Sequence, residues 1–197
     1  MDGTGIHVLG VGGTLRVDSM SLRALEFALE GARAAGATVE MLSLHELDLP
    51  MFVPTLPEDQ ISESAKAYLQ AVRRADALLL STGAYHGTMA GVTKNALDYI
   101  EYLSQDQPPY LQDRLVGLIA TAGGDMANVR SVDAMVHVVH ALRGVVVPLQ
   151  VAIPQSKSFR GDEAQFAGSK WAGRLDLLGR LVVEMTLNQR PELASRS

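Results

Sequence analysis

A chain of 197 residues with a formal net charge of −5 and no cysteine has the size of one domain, and such a domain buries about 70% of its unfolded surface. The missing cysteines exclude disulfides, thiolate-held metals and thiol nucleophiles, and fit a reducing compartment. With no basic block there is no nucleic-acid footprint, and no apolar run approaches the roughly 18 residues that a membrane span needs. Met1-Asp2-Gly3-Thr4-Gly5 puts no positive segment ahead of an apolar core, so the expectation is a cytoplasmic protein without a signal peptide.

The apolar run at 6–13, Ile-His-Val-Leu-Gly-Val-Gly-Gly, predicts a first strand buried on both faces. After the loop at 12–21, Leu22, Leu25, Ala28, Leu29 and Ala32 recur at helical spacing. They predict a helix closing near Gly36, with Phe27 at the edge of its stripe and Ser19 or Ser21 as N-cap. Hydroxyls, Arg16 and a helix N-terminus converge there. Backbone N–H groups and the helix dipole favour an anion at that place, and a guanidinium can grip phosphate oxygens in bidentate fashion. The alternative is a capped helix beside a solvated arginine. Gly10-Val-Gly12-Gly-Thr-Leu15 also begins like the dinucleotide fingerprint G-x-G-x-x-G. Its sixth place holds Leu15, where close helix–strand packing wants Gly or Ala, and Glu40 in the next strand would have to serve as the ribose-binding acid.

The stretch 37–43 predicts a second strand. Pro50, Pro54 and Pro57 make 45–62 irregular, while Leu49, Met51, Phe52 and Val53 mark it as a packed loop rather than a linker. A helix at 62–75 leads into a strand at 77–80. Gly83 and Gly87 then bracket Tyr85 and His86, and Gly91 precedes a helix with Ala96, Leu97 and Ile100 on one face. In an open α/β sheet such a loop lies where ligands bind. Its N–H groups, the Thr88 hydroxyl and the Tyr85 ring suit a flat heteroaromatic ligand. An ordinary surface turn is the alternative.

Beyond the loop at 104–110, a strand at 114–122 ends in the glycine loop Ala122-Gly-Gly-Asp-Met-Ala127. The helix at 129–142 carries His137 and His140 three apart and Asp133 four before His137. A metal site would need another well-placed ligand, so a solvated or interface pair is expected and no metal. A last strand at 144–153 contains Pro148, which argues for a sheet edge or a bulge. A loop at 155–161, a long helix at 163–187 and a loose tail at 188–197 complete the chain. Five strands alternating with helices predict one α/β domain over 1–197, a doubly wound parallel sheet with helices on both faces.

Thr82-Gly-Ala-Tyr-His-Gly-Thr-Met-Ala-Gly-Val-Thr-Lys-Asn-Ala-Leu-Asp-Tyr99 resembles the flavin loop and following helix of the NADPH-dependent FMN reductase family. That family typically carries Pro-Glu-Tyr-Asn-x-Ser and then Pro-Gly-x-x-Lys-Asn-Ala-Leu-Asp-Trp. Tyr85, Gly91, Lys94, Asn95, Ala96, Leu97 and Asp98 match. Gly83 and Ala84 stand for Pro-Glu, His86 for Asn, Thr88 for Ser, Ala90 for Pro and Tyr99 for Trp. The stretch 13–21 is similar to the family's phosphate loop, Gly-Ser-x-Arg-x-x-Ser-x-Asn, with Thr14, Arg16 and Ser19 in the matching places and Ser21 for Asn. The glycine loop at 122–127 resembles a third flavin loop, in which Gly123 and Gly124 would let backbone approach the ring edge.

The resemblance implies a flavodoxin-like sheet in the order 2-1-3-4-5, which sets the first and third loops side by side. It implies FMN held by Thr14, Arg16, Ser19, Met20, Ser21, Ala84, Tyr85, His86, Gly87, Thr88, Gly123 and Gly124. NADPH or NADH would be the electron donor and a flavin, quinone, azo dye or metal oxyanion the acceptor, in ping-pong order. No side chain is nominated as catalytic; Tyr85 and His86 are the candidates for tuning or gating. A homodimer or homotetramer is implied, with 49–53 and the helix after Gly91 as its surface. The rival readings are a flavodoxin-type electron carrier, a flavin-free binding or scaffold domain, and a Rossmann NAD-binding protein.

Overall fold

The computed structural model describes residues 4–124 and 127–190. Five parallel strands build the sheet: β1 (His7–Gly13), β2 (Thr38–Ser43), β3 (Ala77–Tyr85), β5 (Leu115–Thr121) and β6 (Val145–Ile153). Their spatial order is β2-β1-β3-β5-β6, which is 2-1-3-4-5 counted over the parallel strands. A short strand absent from the sequence reading, β4 (Thr88–Met89), pairs antiparallel with the end of β3. The helices are α1 (Met20–Ala34), α2 (Leu44–Leu47), α3 (Glu63–Arg74), α4 (Gly91–Tyr99), α5 (Ala127–Ala141), α6 (Glu163–Ala167) and α7 (Lys170–Gln189).

Side chains of the central strands alternate between two cores, as the two-residue period of a strand requires. Leu78 and Leu80 of β3, with Val116, Leu118 and Ala120 of β5, join the core under α3, α4 and α5. Ala77 and Leu79, with Leu115 and Ile119, join the core under α1 and α7. Helices on both faces explain why β3 and β5 read as near-continuous apolar runs rather than alternating ones. No helix among the described residues is long and apolar enough to cross a membrane.

Four expectations need adjustment. β3 runs on past Leu80 to Tyr85, so Gly83, Ala84 and Tyr85 belong to the strand rather than to the loop. The long final helix is broken at Gly168 and Ser169. Asp162 caps α6 by accepting from the Gln165 N–H at 2.8 Å, and Ser169 caps α7 by accepting from the Trp171 N–H at 3.3 Å, so each segment has its own N-terminal acceptor. The region 45–62 is not wholly irregular: it opens within α2 and contains a single 3₁₀ turn at Glu58–Gln60. Helix α7 runs on through Asn188 and Gln189, so the tail starts later than expected; residues 191–197 lie outside those described. Pro148 behaves as read, because β6 is an edge strand and its pairing with β5 slips between Val116 and Leu118.

Helices α1 and α7 cross backbone to backbone. A methyl group on Gly179 would stand 1.9 Å from the Ala28 carbonyl oxygen, and one on Gly31 would stand 2.2 Å from that of Asp176. Gly179→Ala therefore has to part the two helices and is expected to lower the unfolding free energy by about 2–3 kcal/mol. Gly173 is exposed in the same helix with nothing near its missing side chain, so Gly173→Ala should gain about 0.5–1 kcal/mol from helix propensity alone. Urea unfolding of the two variants checks both signs.

Candidate functional site

Strands β1 and β3 lie side by side in register, Gly12 opposite Ser81 and Gly13 opposite Thr82. β2 lies beyond β1 and β5 beyond β3, so the chain reverses its winding between them, where α/β sheets bind ligands. The two loops that leave this point are bonded together. The Ser81 hydroxyl donates to the Ser21 carbonyl at 2.7 Å, and a methyl group on Gly83 would stand 2.6 Å from Thr14 Cγ2.

Within the first loop three buried hydroxyls form a chain: Thr14 donates to Ser19 Oγ at 3.3 Å, and Ser19 and Ser21 share a 2.8 Å bond. The Arg16 N–H donates to Thr14 Oγ1 at 3.3 Å, which turns the backbone tightly. Ser19 holds the N-cap position of α1, but its side chain accepts no hydrogen bond from the first turn. Those N–H groups, at the positive end of the helix dipole, have no side-chain cap of their own.

A cleft of about 190 Å³ opens between the loops. Of the residues expected at a common site, Thr14, Arg16, Ser19, Met20, Ala84, Tyr85 and Gly123 line it, alongside Gly83. Ser21 stands behind the wall, buried and bonded to Ser19. His86 and Gly87 form the tip of the β3–β4 hairpin, Thr88 opens β4, and none of the three lines the cleft. Gly124 is exposed with open space around it, and Asp125 and Met126 of the same loop lie outside the described residues. The Lys157 side chain crosses Gly123, whose missing methyl would meet its Cε at 2.9 Å.

The hairpin turn gives His86 a backbone role. Tyr85 pairs with Thr88, and His86 and Gly87 have φ of 49° and 86°, the two positive values of a type I′ turn. Histidine and asparagine both tolerate that region better than most residues, which accounts for His86 where Asn is usual. Below the turn, the fully buried Thr82 hydroxyl accepts from the Ala90 N–H at 3.1 Å and bonds Thr93 Oγ1 at 2.9 Å. It thereby fixes the hairpin's return to the start of α4.

Helix α4 does not touch the cleft. Asn95 donates to the Pro50 carbonyl and accepts from the Phe52 N–H, both at 2.8 Å, and the Tyr99 hydroxyl donates to Pro50 at 3.2 Å. Tyr102 donates to the Leu56 carbonyl at 2.7 Å, and the Phe52 ring meets Tyr99 and Tyr102 edge-on. Desolvation raises the pKa of both tyrosines, so they remain donors. The packed loop read from the sequence is thus docked on α4. Beside it a more apolar cavity of about 270 Å³ is lined by Leu15, Leu44, Leu49, Met51 and Val92 among others.

Thr121, Ser156, Lys157 and Arg160, which no motif announces, also line the cleft. The last three follow β6, and the rule that ligands sit beyond the carboxyl ends of strands was the signal that marked them. Glu40 is engaged with His7, at the opposite end of β1, and with Arg74, each at 3.2 Å, which removes it as a ribose ligand beside the cleft. Asp133, His137 and His140 are exposed on α5, and no group of three or more potential metal ligands gathers among the described residues.

A doubly wound sheet whose first- and third-strand loops close on one polar cleft is the flavodoxin-like arrangement. Residues 6–158 match the NADPH-dependent FMN reductase family, and the chain belongs to it. The FMN-dependent NADPH-azoreductase of Staphylococcus haemolyticus is 33% identical over 120 residues, which span 61% of this chain and 59% of that protein's length. Among solved structures, an oxidoreductase from Corynebacterium diphtheriae superposes with a TM-score of 0.72 at 19% identity, covering 93% of this chain and 98% of that one. An archaeal flavodoxin does so with 0.62 at 10% identity, covering 92% and 99%. At such identities the two likenesses speak for the fold.

The docking of 50–56 on α4 makes a separate expectation. Asn95→Ala takes the partner of the Phe52 N–H and leaves the Pro50 carbonyl with the Tyr99 hydroxyl alone, and should cost about 1–3 kcal/mol. It should also speed proteolytic nicking within 48–57. Lys94→Ala, which removes only an exposed pair with Asp98, should stay within about 0.5 kcal/mol. Limited proteolysis and thermal unfolding of both variants check this.

Proposed function

We propose that the chain is an FMN-dependent NAD(P)H oxidoreductase that transfers reducing equivalents from NADPH, or NADH, to a flavin, quinone, azo compound or similar small acceptor. The observation that carries this reading is the convergence of the 14–21 loop and the end of β3 on one cleft. The donor set there fits FMN. Hydroxyls, uncapped N–H groups and Arg16 suit a phosphate, while the small Gly83 and Ala84, beside the half-exposed Tyr85, leave room for a flat ring. When bound, FMN supplies a ring that accepts and releases hydride, and the protein positions and tunes it.

In this reading Thr14, Arg16 and Ser19 hold the phosphate end and Ala84, Tyr85 and Gly123 border the ring. Ser21 supports Ser19 from behind. His86, Gly87 and Thr88 form the rim, and Tyr85 and His86 gate access. No side chain is assigned a proton transfer. A donor and an acceptor that need the same near-attack distance, about 3–3.5 Å, must take turns at one open side, which favours ping-pong order. Arg16→Ala should weaken FMN binding by about 1.5–3 kcal/mol, the worth of a hydrogen bond to a charged group, or roughly tenfold to 150-fold. Riboflavin, without the phosphate, should lose little; equal losses by fluorescence titration would remove Arg16 from the phosphate end.

Assembly belongs to the same reading. Leu15, Val17 and Met51 are 62, 83 and 78% exposed, and Leu15 and Met51 border the apolar cavity beside α4. A second copy of the chain is the proposed partner for this surface. Light scattering at micromolar concentration should show a dimer or larger, and Met51→Lys should shift it toward monomer.

The experiment that separates an enzyme from an electron carrier is anaerobic mixing of FMN-loaded protein with NADPH and, separately, NADH. The flavin absorption band should bleach within seconds with at least one of them and return on addition of a quinone. A band unchanged by both nucleotides would defeat the reductase and favour a flavodoxin-type carrier, whose fold this chain shares.

A further inference from the structure

The segment after β6 brings two cations to the cleft, and Arg160 lies past the stretch 6–158 that matches the family. Its placement is firm at both ends. The N–H and hydroxyl of Ser156 both donate to the Ala122 carbonyl, at 2.8 and 3.0 Å. Phe159 stacks edge-on against the fully buried Phe166 at 5.4 Å. Between these anchors the chain makes a 3₁₀ turn, Ser156–Phe159, closed by the Arg160 N–H on the Lys157 carbonyl at 3.2 Å. With three residues per turn, positions three apart eclipse, so Lys157 and Arg160 leave the turn on one side.

Arg160 meets the first loop through a shared anion. Its Nε lies 3.5 Å from Asp18 Oδ2, and Arg16 Nη2 lies 3.5 Å from Asp18 Oδ1. Both contacts are long, and all three side chains are at least one-third exposed, the regime in which an ion pair is worth little. Among the described residues, three cations and one carboxylate leave a local charge of +2 beside the hydroxyl chain, in a protein whose net charge is −5. A phosphomonoester carries roughly −1.5 to −2 at pH 7 and offers three strong acceptor oxygens.

Building on the FMN reading above, we propose that Lys157 and Arg160 form a second, cationic wall for the flavin phosphate. They face the hydroxyl loop across the cleft, and Asp18 sets the spacing of the two guanidiniums and competes with the phosphate for them. The wall makes the site selective for phosphorylated flavin. It arises from a loop outside the phosphate motif, and it ties the end of the last strand to the loop after the first.

The test is fluorescence titration of FMN and of riboflavin against the full chain, as wild type and as Lys157→Ala, Arg160→Ala and Asp18→Asn, with thermal midpoints recorded for each. Lys157→Ala and Arg160→Ala should each weaken FMN roughly tenfold, the worth of a charge-assisted hydrogen bond, and more at low salt than at high salt. Riboflavin should be unaffected. Asp18→Asn should tighten FMN and leave riboflavin alone, an effect that a purely structural role for Asp18 does not produce. Tight FMN binding by wild type with no loss in either cation variant would overturn the wall while leaving the FMN site in place. Equal losses for both flavins would overturn it too. Failure of the wild type to bind FMN would instead remove the reading on which the wall rests.

Discussion

Everything at the switch point depends on how closely β1 and β3 bring their carboxyl ends together. Residue 83 has no room for a methyl group because Thr14 Cγ2 occupies that space, and the Ser81 hydroxyl reaches across to the Ser21 carbonyl. This contact holds the hydroxyl loop against the end of β3, so the phosphate-type donors and the Tyr85 ring share one wall. A bulkier residue at 83 has to push Thr14 and, through its bond to Ser19, the entry to α1. The usual Pro-Glu of the family is here Gly83-Ala84, and the close contact gives a physical reason for the glycine in this chain.

The second motif divides its labour. Tyr85 lines the cleft, whereas Asn95 and Tyr99 hold the 50–56 segment by its backbone carbonyl and N–H groups. A residue pattern that reads as a ligand signature is therefore half a docking device. It fastens an irregular segment, rich in proline and closed on itself by the Leu56 N–H to the Val53 carbonyl, to a helix behind the site. Thr82 joins the two halves, since its buried hydroxyl touches both the hairpin and the first turn of α4.

Much of this was legible in the sequence. The doubly wound sheet follows from five alternating strand and helix patterns, the order 2-1-3-4-5 from the family resemblance, and the two loops that meet from that order. The departures fall where a local signal is weak or is outweighed by a longer pattern. His86-Gly87 is not the Asn-Gly pair that announces a two-residue hairpin, so β4 was missed. Gly168-Ser169 is a readable stop and cap that the apolar pattern of the last helix overrode. Within the site, the motif puts His86 among the cofactor residues; it stands at the hairpin's tip with positive φ, off the lining of the cleft. Lys157 and Arg160 belong to no motif, and only their place beyond the carboxyl end of the last strand points to the cleft. They reach the cleft through a segment that crosses from the sheet's far edge to the first loop, a contact set by the packing of Phe159 on Phe166 and by Ser156 on Ala122.

The central claim is that a single cleft holds a phosphate at the 14–19 loop and a flat ring along the end of β3. A crystal structure of the chain grown with FMN tests it most directly. The account predicts the phosphate within hydrogen-bonding distance of Thr14, Arg16 and Ser19, and the ring beside Ala84 and Tyr85. Flavin seated instead in the apolar cavity beside Met51, or bound in the reverse orientation with its phosphate at Tyr85, would contradict it.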